Sequence, residues 1–242
     1  MMKINYDLVM EKQLEEIEKN KIKPKLLLHS CCAPCSSAIL EFLQEYFEIT
    51  VYFFNPNITF QEEYMKRLEE QKEYHKKRGY QINVIEGRYN SEIDFFQSIK
   101  GLENEKEGGK RCHQCYRIRM EETAKKAKED GYEYFTTVLS ISPMKNAQWI
   151  NEIGEELEKE YGIKFLNGDF KKKSRYLKSI KISKEYELYR QDYCGCIFSK
   201  LEREKNEKKR EKIMEGKDEK LFRKNCKKYF NLFFITIFII RT

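Results

Sequence analysis

Residues 24–47 read PKLLLHSCCAPCSSAILEFLQEYF. Pro24 opens KLLLHS, a short apolar run of the kind that forms a buried parallel strand. Ala33-Pro34 follows, and proline suits the first turn of a helix. The helix expected over about Ser36–Phe47 carries Ile39, Leu40, Phe42 and Leu43. Working outward, ITVYFFN (49–55) gives a second strand that Pro56 stops, and a long charged helix runs from about Phe60 to Arg78. Gly79 caps that helix and YQINVIEG (80–87) gives a third strand. A short helix over 91–100 leads to the polar loop ENEKEGGKRC (103–112), then a helix from about His113 to Glu129. YEYFTTVLSIS (132–142) is a fourth strand, Asn146–Tyr161 a helix and GIKFLN (162–167) a short strand. Strands alternating with helices predict an α/β fold: a parallel sheet with right-handed crossovers and helices on both faces. Ligands of such sheets sit at the carboxyl ends of the strands.

The chain has 242 residues, which fits one α/β domain or two small ones. A hydrophobic fraction of 40% with 14% aromatics supports a core and excludes global disorder. No run reaches the roughly 18 apolar residues needed to span a bilayer. The first 21 residues, MMKINYDLVMEKQLEEIEKNK, lack the apolar centre of a secretory signal, so the expected location is cytoplasmic. The net charge of +7 is confined to the end of the chain. Residues 1–199 hold 33 basic and 33 acidic side chains, whereas 200–242 hold 14 and 7. The chain therefore divides into an N-terminal arm (1–24), read as an exposed helix or loose segment, an α/β catalytic domain (25–200) and a charged tail (201–242). The tail ends in YFNLFFITIFII (229–240), too short for a membrane span.

Seven of the eight cysteines fall into three groups: Cys31, Cys32 and Cys35 after the first strand, Cys112 and Cys115 as C-x-x-C, and Cys194 and Cys196 as C-G-C. Cys226 stands alone in the tail. In a reducing compartment such groups point to metal ligands or redox thiols rather than structural disulfides. The first two groups fall at expected helix N-termini, where unpaired N–H groups favour thiolates. If both helices follow strands of one sheet, Cys31, Cys32, Cys112 and Cys115 emerge at one rim. Four sulfur ligands there suit tetrahedral zinc or an iron–sulfur cluster, and the sequence leaves both open. Cys35 is then surplus: a ligand to a second metal, a substitute for Cys31, or a spectator. A bridge between Cys194 and Cys196 closes too short a loop to be relaxed, so it would be easily reduced. That suits an electron-relay dithiol, and two further metal ligands are the alternative.

LLLHSCCAPCSS, FFNPNI, EEYMKRLEEQ, GLENEKEGGKRCHQCYRIRMEETA, FTTVLSISPMKNA, DFKKK and LYRQDYCGCIFSK, between Leu26 and Lys200, together resemble the epoxyqueuosine reductases of the QueH type. The resemblance implies an adenine-nucleotide α-hydrolase-like (HUP, Rossmann-like) core. It implies an oxidoreductase that reduces epoxyqueuosine to queuosine at the wobble position of tRNA, the last step of queuosine biosynthesis. A [4Fe-4S] cluster on Cys31, Cys32, Cys112 and Cys115 is implied, with a redox-active disulfide at Cys194 and Cys196. The Cys35 position is linked with an additional mononuclear metal ion, iron. The implied partners are tRNA bearing epoxyqueuosine in its anticodon and an electron donor that the sequence does not name.

Candidate tRNA contacts are the basic groups Lys171, Lys172, Lys173 and Arg175, with Arg190 beside the C-G-C pair and Arg111, Arg117 and Arg119 around the C-x-x-C. His29, His113, Tyr116, Lys145 and Asp169 are candidate proton donors. Two rival readings remain. An ATP-using tRNA thiolase of the same fold would carry a glycine-rich phosphate loop where HSCCAPC stands. A zinc-stabilised, non-catalytic RNA-binding protein would use the thiols for stability alone.

Overall fold

The computed structural model describes residues 4–214. The readings placed on Cys226 and on the hydrophobic end of the tail lie outside these residues. Up to Phe198 the chain forms one compact unit. Its sheet has five parallel strands in the order β3-β2-β1-β4-β5: β1 (Lys25–His29), β2 (Glu48–Phe53), β3 (Val84–Glu86), β4 (Tyr134–Thr137) and β5 (Lys164–Phe165). Leu26, Leu27 and Leu28 of β1 are all fully buried. A central strand covered on both faces needs a continuous apolar run rather than alternation, which is why KLLLH is so legible.

The chain steps from β1 outward to β3, then returns to place β4 on the other side of β1. Right-handed crossovers put α2 (Ala33–Leu43) and α3 (Gln61–Arg78) on one face. The reversal puts α4 (Lys110–Glu129) and α5 (Ala147–Tyr161) on the other. The gap between the carboxyl ends of β1 and β4 is the point where the winding reverses, the usual ligand crevice of such sheets. Two further helices complete the layers. α6 (Arg175–Glu185) packs along α2, and α1 (Tyr6–Lys19) lies against α5.

Several elements depart from their expected limits. α4 starts at Lys110 rather than His113, so Cys112 and Cys115 lie inside its first two turns. β4 ends at Thr137, where the Thr137 hydroxyl accepts the Leu139 N–H and curls the chain into a 3-10 turn over Val138–Ile141. β3 is three residues long, and the short helix expected over 91–100 is a π-helical turn at Glu92–Phe96. α6 was not signalled, because its inner face is built from Arg175, Ser179, Ile182 and Ser183 rather than an apolar stripe. α1 buries Tyr6, Met10, Leu14 and Ile17 at helical spacing, so it is part of the core. The Gln13 side-chain amide donates to Phe165 O at 2.9 Å, and its oxygen accepts the Asn167 N–H at 3.0 Å. Residues 199–214, the described part of the second unit, are helical, charged and mostly exposed.

Candidate active site

The turn leaving β1 carries three cysteines. The φ of Cys32 is −178°, an extended conformation that any residue adopts, and α2 begins immediately after it. This geometry folds Cys31, Cys32 and Cys35 together, with their sulfurs all within 4.8 Å of one another. Cys31 Sγ lies 3.9 Å from Cys32 Sγ, and hydrogen bonding with Cys32 and Cys35 holds the Cys31 pKa well below the ordinary thiol range, helped by Lys145 and Arg119. Burial pushes the Cys32 thiol well up. Hydrogen bonding to Cys31, added to burial, pushes Cys35 up to about 12. Of the three, Cys31 is the one whose thiolate is favoured, and it faces the Lys145 and Arg119 cations. Three sulfurs at this spacing form a donor set that fits a soft metal ion or an iron–sulfur group.

A polar net fixes the turn from behind. Ser30 and Ser36 hydroxyls both donate to Gln71 Oε1, at 2.8 and 3.0 Å. Gln71 donates onward to His75 Nε2 at 2.8 Å, and His75 Nδ1–H donates to Ile82 O at 3.1 Å. On the other side Asn55 donates to Ser30 O at 2.8 Å. His29 is fully buried; its Nε2–H donates to Phe54 O at 3.1 Å, while Nδ1 accepts from the Thr137 hydroxyl at 2.8 Å. Burial pushes its pKa down to about 4. His29 is therefore a neutral tie between the ends of β1, β2 and β4, with both nitrogens engaged.

Cys112 and Cys115 line a small cavity shared with Cys194 and Cys196, and Lys145 and Arg119 complete its wall. Cys112 accepts the Gly108 N–H at 3.2 Å, as expected for sulfur at a helix start. Burial pushes the Cys115 thiol up to about 11. Cys194 Sγ and Cys196 Sγ stand 3.6 Å apart. Lys145 joins the sulfur groups. Burial works against its charge, yet Cys31, Cys194 and Tyr116 face it and hold its pKa above the ordinary lysine value. Arg119 is 3% exposed, donates to Cys115 O at 3.1 Å and likewise faces Cys115, Cys31 and Cys194. The three cysteine groups therefore surround one pair of cations at the switch point.

The other expected site residues have different surroundings. Lys171 pairs with Asp169, Lys172 donates to Asn5 Oδ1 at 2.6 Å and Lys173 pairs with Glu11. Arg175 is buried against Asp7 and is not a surface cation. This basic run staples α1 to the turn before α6. Arg190 is exposed and donates to Ser183 Oγ at 3.1 Å. Arg111 is 3% exposed and donates to Glu103 O at 2.9 Å, shaping the loop before α4. Arg117 reaches Glu156 at 2.6 Å and Glu160 at 3.4 Å on α5. His113 packs edge-to-face on Trp149 with centroids 5.2 Å apart.

Residue-by-residue reading missed Arg67. It is 1% exposed on α3, 2.6 Å from Glu63, and it donates to Cys194 O at 3.3 Å and Tyr193 O at 3.5 Å. Its signal lies in the spacing: an arginine sits on the buried stripe Tyr64, Arg67, Leu68, Gln71, Tyr74.

A doubly wound sheet with grouped thiols and buried cations at its switch point places the chain among α/β proteins with a cysteine-rich site. The profile of the family described as "Epoxyqueuosine reductase QueH" matches residues 26–202. Relatives of that name include proteins from Staphylococcus epidermidis, 44% identical over 206 residues (82% of this chain, 86% of the relative), and Thermotoga maritima, 38% identical over 180 residues (74% and 91%). A third, from Streptococcus pyogenes, is 43% identical over 201 residues (81% and 78%). The chain belongs to the QueH family of epoxyqueuosine reductases, which places it among the oxidoreductases. Among the described residues no helix is long and apolar enough to cross a membrane.

Proposed function

We propose that this chain reduces the epoxide of epoxyqueuosine to the cyclopentene of queuosine at the wobble position of tRNA, in the cytoplasm. The observation that carries the reading is the convergence of three cysteine groups on Lys145 and Arg119 at the carboxyl end of the sheet. Cys31, Cys32, Cys112 and Cys115 are assigned to a [4Fe-4S] cluster, and Cys35, within 4.8 Å of Cys31 and Cys32, to an additional mononuclear iron. When bound, the cluster supplies one-electron transfer and a Lewis-acidic iron for the epoxide oxygen.

The remaining chemistry belongs to the chain. Removing the oxygen as water consumes two electrons and two protons. The Cys194 and Cys196 thiols release two electrons and two protons as they form a disulfide, so the couple balances. An external reductant then restores the dithiol. Lys145 and Arg119 stand in the wall of the small cavity and face the sulfurs, where their positive charge favours thiolate over thiol. His29, neutral and bonded at both nitrogens, is held out of proton delivery. The test is anaerobic incubation with epoxyqueuosine-containing tRNA and dithionite, followed by nucleoside mass spectrometry. Loss of one oxygen from the modified base is expected. An unchanged mass with a colourless, zinc-containing protein overturns the reading.

A further inference from the structure

We propose that Arg67 and Asn57 are positioning residues for the Cys194–Cys196 pair: they clamp its backbone so that the two sulfurs stay in bonding range, and this makes the dithiol a stronger reductant. The inference rests on the dithiol reading above. Three consecutive carbonyls of this loop are held by one segment of the chain, the stretch from β2 into α3. Arg67 donates to Tyr193 O at 3.5 Å and to Cys194 O at 3.3 Å. Asn57 Nδ2 also donates to Cys194 O, at 3.4 Å, and the Thr59 N–H donates to Gly195 O at 3.2 Å. Arg67 and Asn57 are each 1% exposed, and Glu63 holds the guanidinium from the other side. The clamp is also steric. Gly195 has φ +111°, which an L side chain rarely adopts, and a Cβ there would meet Ile58 Cγ1 at 2.8 Å and Arg67 Nη1 at 3.3 Å.

A fixed backbone changes the cost of closing the bridge. The sulfurs already stand 3.6 Å apart, and a disulfide needs about 2.05 Å. With the carbonyls of residues 193–195 tied down, the pair closes by side-chain rotation rather than by a backbone search. Ordering is made once, on folding, instead of at each oxidation. Two thiols become one disulfide with two electrons and two protons released, and the preorganised pair releases them more readily.

The test is the disulfide equilibrium of the anaerobically purified full chain in glutathione buffers, quenched with acid, alkylated and read on the Cys194–Cys196 peptide by mass spectrometry. In Arg67→Met the equilibrium is expected to shift toward the dithiol about tenfold, or about 30 mV for a two-electron couple. Arg67→Lys, which keeps a cationic donor, recovers part of the shift. Asn57→Ser, which leaves α3 intact, moves it in the same direction. If Arg67→Met does not fold, the other two variants decide. Equilibria within about twofold of wild type, or a shift toward the disulfide, overturn the proposal. Full turnover by a Cys194→Ser/Cys196→Ser variant would remove the dithiol reading instead, and the equilibrium measurement would still decide whether the clamp acts.

Discussion

At Cys194 and Cys196 the chemistry depends on having two sulfurs together. Replacing either with serine removes the two-electron couple, so it is expected to abolish queuosine formation both in a single reduction by pre-reduced enzyme and in turnover with a thiol reductant, read as queuosine formed per enzyme. His75 gives a test of acid stability. Burial holds its pKa below the ordinary 6.5, so the unfolded chain binds the extra proton as pH falls. The stability involved is present above pH 6.5 and is lost on acidification below it. The urea midpoint of wild type is therefore expected to fall more between pH 7.5 and pH 5 than that of His75→Gln, which keeps a neutral donor and acceptor. Parallel slopes for the two proteins would show that His75 does not titrate on unfolding. These side chains were legible to different degrees. The cysteines announce themselves by grouping, whereas His75, Gln71 and Arg67 look like part of a charged helix. Only their spacing on one face of α3, and the depth at which that face is buried, give them away.

Elements carry the next set of consequences. α1 is joined to α6 by the buried pair of Asp7 with Arg175. Asp7→Ala strands a buried guanidinium and is expected to cost about 3–5 kcal/mol in urea unfolding, while replacing both partners with apolar residues restores much of it. Because Lys171, Lys172 and Lys173 already face Asp169, Asn5 and Glu11, changing all three to alanine is expected to lower stability and leave the salt dependence of tRNA binding unchanged. α5 rests its Gly154 on the Phe165 ring, where a Cβ would lie 2.2 Å from Cε1. Gly154→Ala is expected to cost roughly 1–3 kcal/mol by overpacking, with the reduction chemistry unaffected in the folded fraction. The sequence made β1, β2, α3 and α5 plain because each has a strong period or a clear stop signal, such as Pro56, Gly79 or Gly162. It hid α6, whose inward face is mostly hydroxyls, and the core role of α1, whose four buried residues are diluted by charge.

Seen as one object, the molecule puts its sulfurs on both sides of the winding reversal: one group after β1, one at the start of α4 and one on the returning segment beyond α6. A group bound by the first two would tie the two halves of the sheet together. Loaded chain is therefore expected to unfold at higher temperature than stripped chain, gaining about 2.7 kcal/mol when the free metal or cluster source is a hundred times its dissociation constant. Anaerobic calorimetry before and after chelation measures this, and coincident transitions would show that the group does not bridge the halves. That the turn after β1 and the start of α4 face the same end of the sheet was foreseeable from strand alternation. Lys145 and Arg119 stood out only as a candidate proton donor and a candidate tRNA contact, and their meeting beside the sulfurs follows only from the crossover from one face to the other.

The Gln13 amide on β5 has one more consequence. A parallel sheet ends in a strand whose outer N–H and C=O groups can recruit any extended peptide nearby. Here one side chain occupies both the Phe165 carbonyl and the Asn167 amide. A foreign strand arriving at that margin must first evict Gln13, so the helix that precedes the sheet in sequence also guards it against polymerising with its own copies.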